Sequence, residues 1–199
     1  MKQGVWAEQC KDVLVKQGFI ENKPHIFRKL SNGILFHVEF IGKKQDIYIW
    51  FSMLPISMPN IWTAVGYGKA AGRVPSEEKA ISCKTEQEIT NVQAELLNLL
   101  SEEVIPLFDT IDCVESYNEY MKSDEAILVH YPLGFGLLQA GEFSEAFNSF
   151  EIISGIEFLP LEEEKETIKK LSGQEQDRIL EQLQKYENKN ISKLGLSST

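Results

Sequence analysis

The chain has 199 residues, of which 43% are hydrophobic and 25% charged, and its formal net charge at pH 7 is −10. This composition is typical of a soluble globular protein and excludes a disordered chain or a fibrous repeat. No apolar stretch reaches the roughly 20 residues of a membrane helix. The N-terminus lacks the apolar core and cleavage site of a signal peptide, so we expect a cytoplasmic protein with no membrane association.

The charge is distributed unevenly along the chain. Residues 1–74 carry ten basic and five acidic side chains, whereas residues 75–199 carry ten basic and twenty-five acidic ones. An acidic protein is repelled by the phosphates of nucleic acid, so we expect no nucleic-acid partner. The acidic half favours a basic protein partner, because complementary charge accelerates association.

The first predicted element is a helix over about 5–17, where Trp6 and Val13 lie on one apolar stripe and Gly18 follows the last turn. After this helix, apolar and polar residues alternate with the period of two that is typical of a strand. Alternating side chains predict strands over 34–40 and 47–53, and a weaker strand over 60–67.

The turn at Asn32-Gly33 predicts a hairpin that makes 24–31 an antiparallel strand. A two-residue turn would place Arg28 opposite His37, and a three-residue loop would place Phe27 there. Because a slip of one residue exchanges the two faces of a strand, the sequence leaves the contents of each face open.

From Pro75 onward the pattern is helical. Capping boxes at 85–88 and 112–115 each begin a helix, and Pro106 is expected to end the first. Further helices are predicted at about 125–140, 144–153, 161–171 and 174–190.

These elements predict an α+β fold, with an N-terminal helix on a four-stranded antiparallel meander sheet followed by an all-helical C-terminal half. We expect an α+β domain at 1–122, a helical extension packed on it at 123–191, and a disordered tail at 192–199. The first helix should meet the two central strands through Trp6, Val13, Leu14, Ile34, Phe36, Val38, Ile49 and Phe51.

Lys-Gln-Gly-Phe at 16–19, Phe-Arg at 27–28 and the strands at 36–40 and 47–53 resemble the domain of unknown function 4304 family over about 5–122. The resemblance implies a compact α+β domain from a bacterium, with no catalytic residues. Some members of that family look like immunity proteins that neutralise toxins. The family pattern does not account for the residues that follow the resemblance.

A second resemblance lies at about 126–153, where small and aromatic residues have the spacing of one tetratricopeptide repeat. His130 and Phe158 depart from that pattern, which expects Trp and Pro there. One unit cannot form a solenoid, so we expect a helical hairpin that could offer a peptide groove. The matching positions are Leu133, Gly134, Leu137, Gly141, Ala146 and Phe150.

The candidate binding face lies on the predicted sheet. His37 and Glu39 share one strand face, and Arg28 lies opposite in one hairpin register, so the three could bind an anion or move a proton. The alternative is an ordinary half-solvated face of paired charges. Aromatic side chains continue the face, which is either covered by C-terminal helices or open to a partner. The candidate residues are Arg28, His37, Glu39, Tyr48, Trp50 and Trp62.

The other motifs in the sequence do not match known phosphate-binding, metal-binding or nucleophile patterns. The glycine-rich segment 66–73 lacks the Gly-Lys-Ser/Thr ending of a phosphate loop and is interpreted as a flexible loop. The three histidines offer no local metal pair, the three scattered cysteines indicate no zinc site, and no serine lies in a nucleophile elbow. We therefore expect no cofactor and no bound metal.

Two functions remain open at this point. The first is a non-enzymatic protein-binding module of the toxin-neutralising immunity type. The alternative is a small-molecule-binding or hydrolytic protein that uses the polar sheet face around His37. The absence of a catalytic motif favours the first, and the sequence leaves the oligomeric state open.

Overall fold

The computed structural model describes residues 3–43, 46–59, 61, 67–155 and 162–196. Within these residues, strands pair into one antiparallel sheet of order β1-β2-β3-β4-β5. This confirms the α+β class and the antiparallel sheet, but it corrects the expected four strands to five. The strands are β1 Ile20–Lys23, β2 Ile26–Ser31, β3 Ile34–Lys43, β4 Asp46–Pro55 and β5 Ala71–Val74.

The two edge strands were not predicted. The first, β1, is short and mostly polar, so it lacks the alternation that indicates a strand. The other, β5, lies in the glycine-rich segment that was predicted to be a loop, and it gains its strand geometry by pairing with β4. Of the strand predicted at 60–67, only Ile61 and Tyr67 are among the described residues, and neither lies in a strand.

The structure resolves the register of the first hairpin. Ser31 pairs with Ile34 and Arg28 with His37, which is the register of a two-residue turn. The φ angles of Asn32 (47°) and Gly33 (80°) are both positive. Because that combination matches the right-handed twist of the strands, it sets the hairpin without splaying it.

The N-terminal helix is broken into two short pieces, a 3₁₀ turn at Gln3–Ala7 and α1 at Lys11–Lys16. The break places the indole of Trp6 against Gly42 of β3, where a Cβ atom would overlap the ring. The expected contact with the sheet is confirmed, since all eight predicted side chains lie in or against the same hydrophobic core.

Pro106 does not end the first long helix. The chain continues from α2 (Ile89–Leu99) through a π-helical segment at Leu100–Val104 into α3 (Ile105–Asp109). A proline lacks an N–H donor and its ring crowds the carbonyl group four residues earlier. The wider π turn accommodates this defect, so the helix is deformed rather than stopped.

The remaining helices agree with the predicted ones within a few residues. The expected hairpin forms between α5 and α6, where a Cβ atom at Gly134 would overlap the ring of Phe150. Gly141 makes the turn with a φ of 78°. The helices are α4 Val114–Lys122, α5 His130–Gln139, α6 Phe143–Ser154, α7 Glu162–Ser172 and α8 Gln176–Leu194.

The tail predicted at 192–199 is corrected for its described part. Helix α8 continues to Leu194, and Gly195 caps it with a φ of 64°. Leu196 is only 8% exposed and packs with Leu35 and Ile56. Residues 197–199 lie outside the described residues.

Candidate functional site

The candidate residues that the structure describes lie on one face of the sheet, opposite to the face of Val38 and Phe40. Paired residues of antiparallel strands point to the same face, so the cross-strand pairs define its members. Val38 and Phe40 alternate with them and enter the core. We call the following seven residues the polar face: Arg28, His37, Glu39, Tyr48, Trp50, Ser52 and Arg73.

His37 is at the covered end of the polar face and is only 1% exposed. Arg28 Nε lies 3.4 Å from His37 Nδ1 and donates to it. The neutral ring then carries its proton on Nε2, which lies 3.5 Å from Glu39 Oε2. Burial lowers the pKa of His37, outweighing the neighbouring carboxylate. His37 is therefore neutral at neutral pH.

Glu39 continues this chain of polar groups toward the sheet edge. Its contact with His37 holds the pKa of the Glu39 carboxyl below its usual range despite partial burial. The other carboxylate oxygen lies 3.9 Å from His25 Nε2, in the turn between β1 and β2. Arg28, His37, Glu39 and His25 thus form one connected set across β2, β3 and the β1–β2 turn.

Arg73 organises the other end of the polar face. Its guanidinium carbon lies 3.8 Å from the centroid of the Tyr48 ring, in a cation–π arrangement. The same guanidinium bonds to Asp46 Oδ1 at 2.6 Å and donates to the carbonyl oxygen of Pro75 at 3.2 Å. Arg73 ends the glycine-rich segment 66–73, and these contacts fix it beside Tyr48 at the aromatic end of the face.

The polar face is buried at one end and half-buried at the other. His37 and Ser52 are buried, whereas Arg28, Glu39, Tyr48 and Trp50 are half-buried. The C-terminal part of α8 packs near the covered end, on Leu35 and Ile56. The predicted alternatives, a face covered by C-terminal helices or one open to a partner, stay predictions, and Trp62 lies outside the described residues.

Ser52 and His37 are not arranged as a nucleophile and its base. Ser52 lies opposite His37 in the register, but its hydroxyl forms no hydrogen bond with any described residue. Both ring nitrogens of His37 face other groups, Arg28 and Glu39. A serine nucleophile requires a base within hydrogen-bond reach, so this pair is not arranged for acyl transfer.

Two clefts in the described part of the chain are lined by residues other than the seven of the polar face. One, of about 780 Å³, lies between the first 3₁₀ turn and the β1–β2 turn and is lined by His25, Lys11 and Glu21. The other, of about 250 Å³, lies between β2 and α3. Neither is lined by Arg28 or His37.

Sequence reasoning missed three contributors, namely His25, Ser52 and Arg73. Ser52 would have followed from pairing β3 with β4 across the turn after Gly42, since that register sets it opposite His37. His25 and Arg73 carry no local signal, because each reaches the face only through long-range strand pairing.

Comparison of the chain with protein-family models, with curated proteins and with solved structures finds no match. The two family resemblances therefore stay predictions. Within the described residues, no group of three or more histidine, cysteine or acidic side chains is placed to hold a metal ion. None of the helices searched there has both the length and the apolar character needed to cross a membrane.

Proposed function

We propose that this protein is a non-enzymatic binding module that docks a protein partner on the half-buried aromatic end of the polar face. The observation that carries the proposal is the cluster of half-buried Tyr48 and Trp50 with Arg73 on the adjacent strands β4 and β5. Tyrosine, tryptophan and arginine are the residue types that most often dominate protein interfaces.

The cluster is ordered before any partner arrives. Arg73 is held by Asp46, by the carbonyl group of Pro75 and by the ring of Tyr48. Side chains that are fixed in the free protein lose little conformational entropy on binding. The strand that carries Tyr48 and Trp50 lies inside the sheet, between β3 and β5, which adds to this rigidity.

The charges around the cluster favour a basic partner. The carboxylates of Asp46 and Glu77 contact the guanidinium of Arg73, and their side chains are 49% and 86% exposed. Glu39 lies opposite Trp50 on β3 and adds a third carboxylate to the polar face. The acidic C-terminal half adds long-range attraction for the same kind of protein. Neutralisation of a basic toxin inside a bacterial cell is the form of this function that the resemblance implies.

The test places a photo-crosslinking residue at Tyr48 and, as a matched control, at Leu180, which is 45% exposed on α8. Crosslinking in lysate of the source cell identifies the partner, which is then purified for calorimetry. We expect Trp50→Ala to weaken its binding by at least about thirtyfold, as for a central interface residue. Leu180→Ala should leave the affinity unchanged. A partner that crosslinks only from position 180, or binds both variants equally, contradicts the proposal.

The second candidate function is small-molecule binding or hydrolysis at the chain of polar groups around His37. The specific observation is that Glu39 connects His37 to His25, which lines the cleft of about 780 Å³. A thermal-shift screen of small anions and esters tests it. A compound that stabilises the wild type but not His25→Gln supports this function, and equal stabilisation of both proteins contradicts it.

A further inference from the structure

A second site lies between the β2–β3 hairpin and α3, on the side of the sheet opposite to the polar face. It is a pocket of about 250 Å³, which is the size of a small functional group and not of a whole cofactor. We call it the hairpin pocket. The residues that carry its chemistry are Phe19, Lys29, Phe36, Phe108, Asp109 and Asp112.

Aromatic rings contribute to its wall. The centroid of Phe108 lies 5.0 Å from that of Phe36 and 6.0 Å from that of Phe19. All three side chains are almost completely buried, so their positions are fixed by the core. Lys29 Nζ lies 6.0 Å from the centroid of Phe19. The wall is therefore already in contact with one cation of the protein itself.

Two carboxylates add negative charge to the lining. Asp109 ends α3, and Asp112 precedes α4, and both are exposed. A hydrogen bond with the Ser116 side chain holds the pKa of Asp112 below its usual range. With Lys29 as the single cation among the lining residues, the pocket has a net negative charge.

The pocket is preformed because its walls are tied together. Asn32, at the hairpin tip, donates from Nδ2 to the carbonyl oxygen of Asp112 at 2.6 Å. The carbonyl oxygen of Gly33 accepts a hydrogen bond from Gln139 Nε2 at 3.2 Å. A ligand would not have to order this hairpin in order to bind.

We propose that the hairpin pocket binds a guanidinium group, carried by a free small molecule or by an arginine side chain of another protein. A guanidinium is flat, weakly hydrated and always charged, and it stacks on aromatic rings while its N–H groups bond to carboxylates. The lining of the hairpin pocket combines these two residue types, the rings of the Phe108 cluster and the carboxylates of Asp109 and Asp112. This site is independent of the docking surface proposed above, because it lies on the other side of the sheet.

The test is an NMR titration of the full chain with methylguanidinium, using neutral N-methylurea as the comparison probe. We expect saturable shifts with methylguanidinium alone and a Kd on the order of 1 mM, as for a probe of very few atoms. Asp109→Asn should weaken binding by about two- to fivefold, the range for one exposed charge pair. Glu151→Gln, a change of an exposed acid on α6, should have no effect.

Lys29→Gln is the decisive variant, because it removes the cation that competes for the same ring. It should tighten methylguanidinium binding by about two- to fivefold, and a folding defect cannot produce a gain. Weaker binding in Lys29→Gln, or equal shifts with N-methylurea, overturns the proposal. Agmatine and the peptide Gly-Arg-Gly then distinguish the sources, since tighter binding of agmatine indicates a free molecule and tighter binding of the peptide an arginine side chain.

Discussion

The two faces of the sheet differ more than any other two regions of the molecule. On β3, Val38 and Phe40 point into the core and are completely buried, whereas their neighbours His37 and Glu39 belong to the polar face. The core face is covered by helices, and the polar face is buried at one end and half-buried at the other. The same strand thus carries core side chains on one side and residues of the proposed docking surface on the other.

The largest effect should come from truncating the core face. Phe40→Ala removes a fully buried ring and should lower the free energy of unfolding by about 3–5 kcal/mol. Ile41→Ala, one position further and half-buried on the other face, should cost about 1 kcal/mol, because less apolar area returns to water. Urea denaturation measures both. If both variants lose the same free energy of unfolding, the two faces contribute equally to stability.

The next effect concerns the helix end that reaches the covered part of the polar face. Asn190 on α8 is buried and donates to the carbonyl oxygens of Ile56 at 2.8 Å and Met58 at 2.7 Å. Asn190→Ala leaves both carbonyl groups without that donor and should cost about 2 kcal/mol. Asn188→Ala, an exposed change on the same helix, should stay within about 0.5 kcal/mol. If Asn190→Ala and Asn188→Ala lower the free energy of unfolding by similar amounts, the hydrogen bonds of Asn190 do not stabilise this region.

A smaller effect appears in the pH dependence of stability. The fold favours the neutral form of His37, so the unfolded chain takes up its proton first as the pH falls below about 6.5. The stability from this group is complete above that pH and is lost as the pH falls toward the folded pKa. The slope should approach, at most, about 1.4 kcal/mol per pH unit.

His37→Gln should flatten this dependence between pH 6.5 and 5. Burial also lowers the pKa of His130, but that side chain is only half-buried, so His130→Gln should flatten it less. Urea denaturation of the three proteins across this range provides the comparison. A wild-type slope that His37→Gln leaves unchanged would assign the pH dependence to other groups.

Local sequence patterns were sufficient to predict the core side chains, but they were not sufficient to predict the arrangement of the candidate site. The alternation at Phe36 and Val38 predicted which side chains meet the N-terminal segment, because a period of two depends on no distant partner. The sequence left the pairing of Arg28 with His37 open, since a two-residue turn and a three-residue loop both fit the residues at the hairpin tip. Only the positive φ angles at Asn32 and Gly33 decide between them.

The remaining errors involve long-range contacts. Arg73 lies in a glycine-rich stretch and acquires its place beside Tyr48 only when β5 pairs with β4. Asn190 resembles any polar residue of an amphipathic helix until Ile56 and Met58 are brought beside it. In both cases the partner is distant in sequence, so no local window contains the signal.

The smallest effect separates two ion pairs of the same length. Arg73–Asp46 and Lys11–Glu21 each have an N···O distance of 2.6 Å, but the Arg73 side chain is 16% exposed and that of Lys11 is 52% exposed. A double-mutant cycle should give about 1 kcal/mol for Arg73–Asp46, where Tyr48 also stacks on the guanidinium. The Lys11–Glu21 cycle should give no measurable coupling.

Measurements at high salt separate the charge attraction of Arg73 from its stacking on Tyr48. At 1 M salt the Debye length is about 3 Å, so charge attraction between exposed groups is screened. The part of the Arg73 contribution that comes from stacking on Tyr48 should persist, and Arg73→Lys should lose it because an ammonium lacks the flat π-surface of a guanidinium. If Arg73→Lys and the wild type have the same stability at 1 M salt, the stack adds nothing. The order of the aromatic end of the polar face would then have to come from β4 and from the Arg73–Asp46 ion pair.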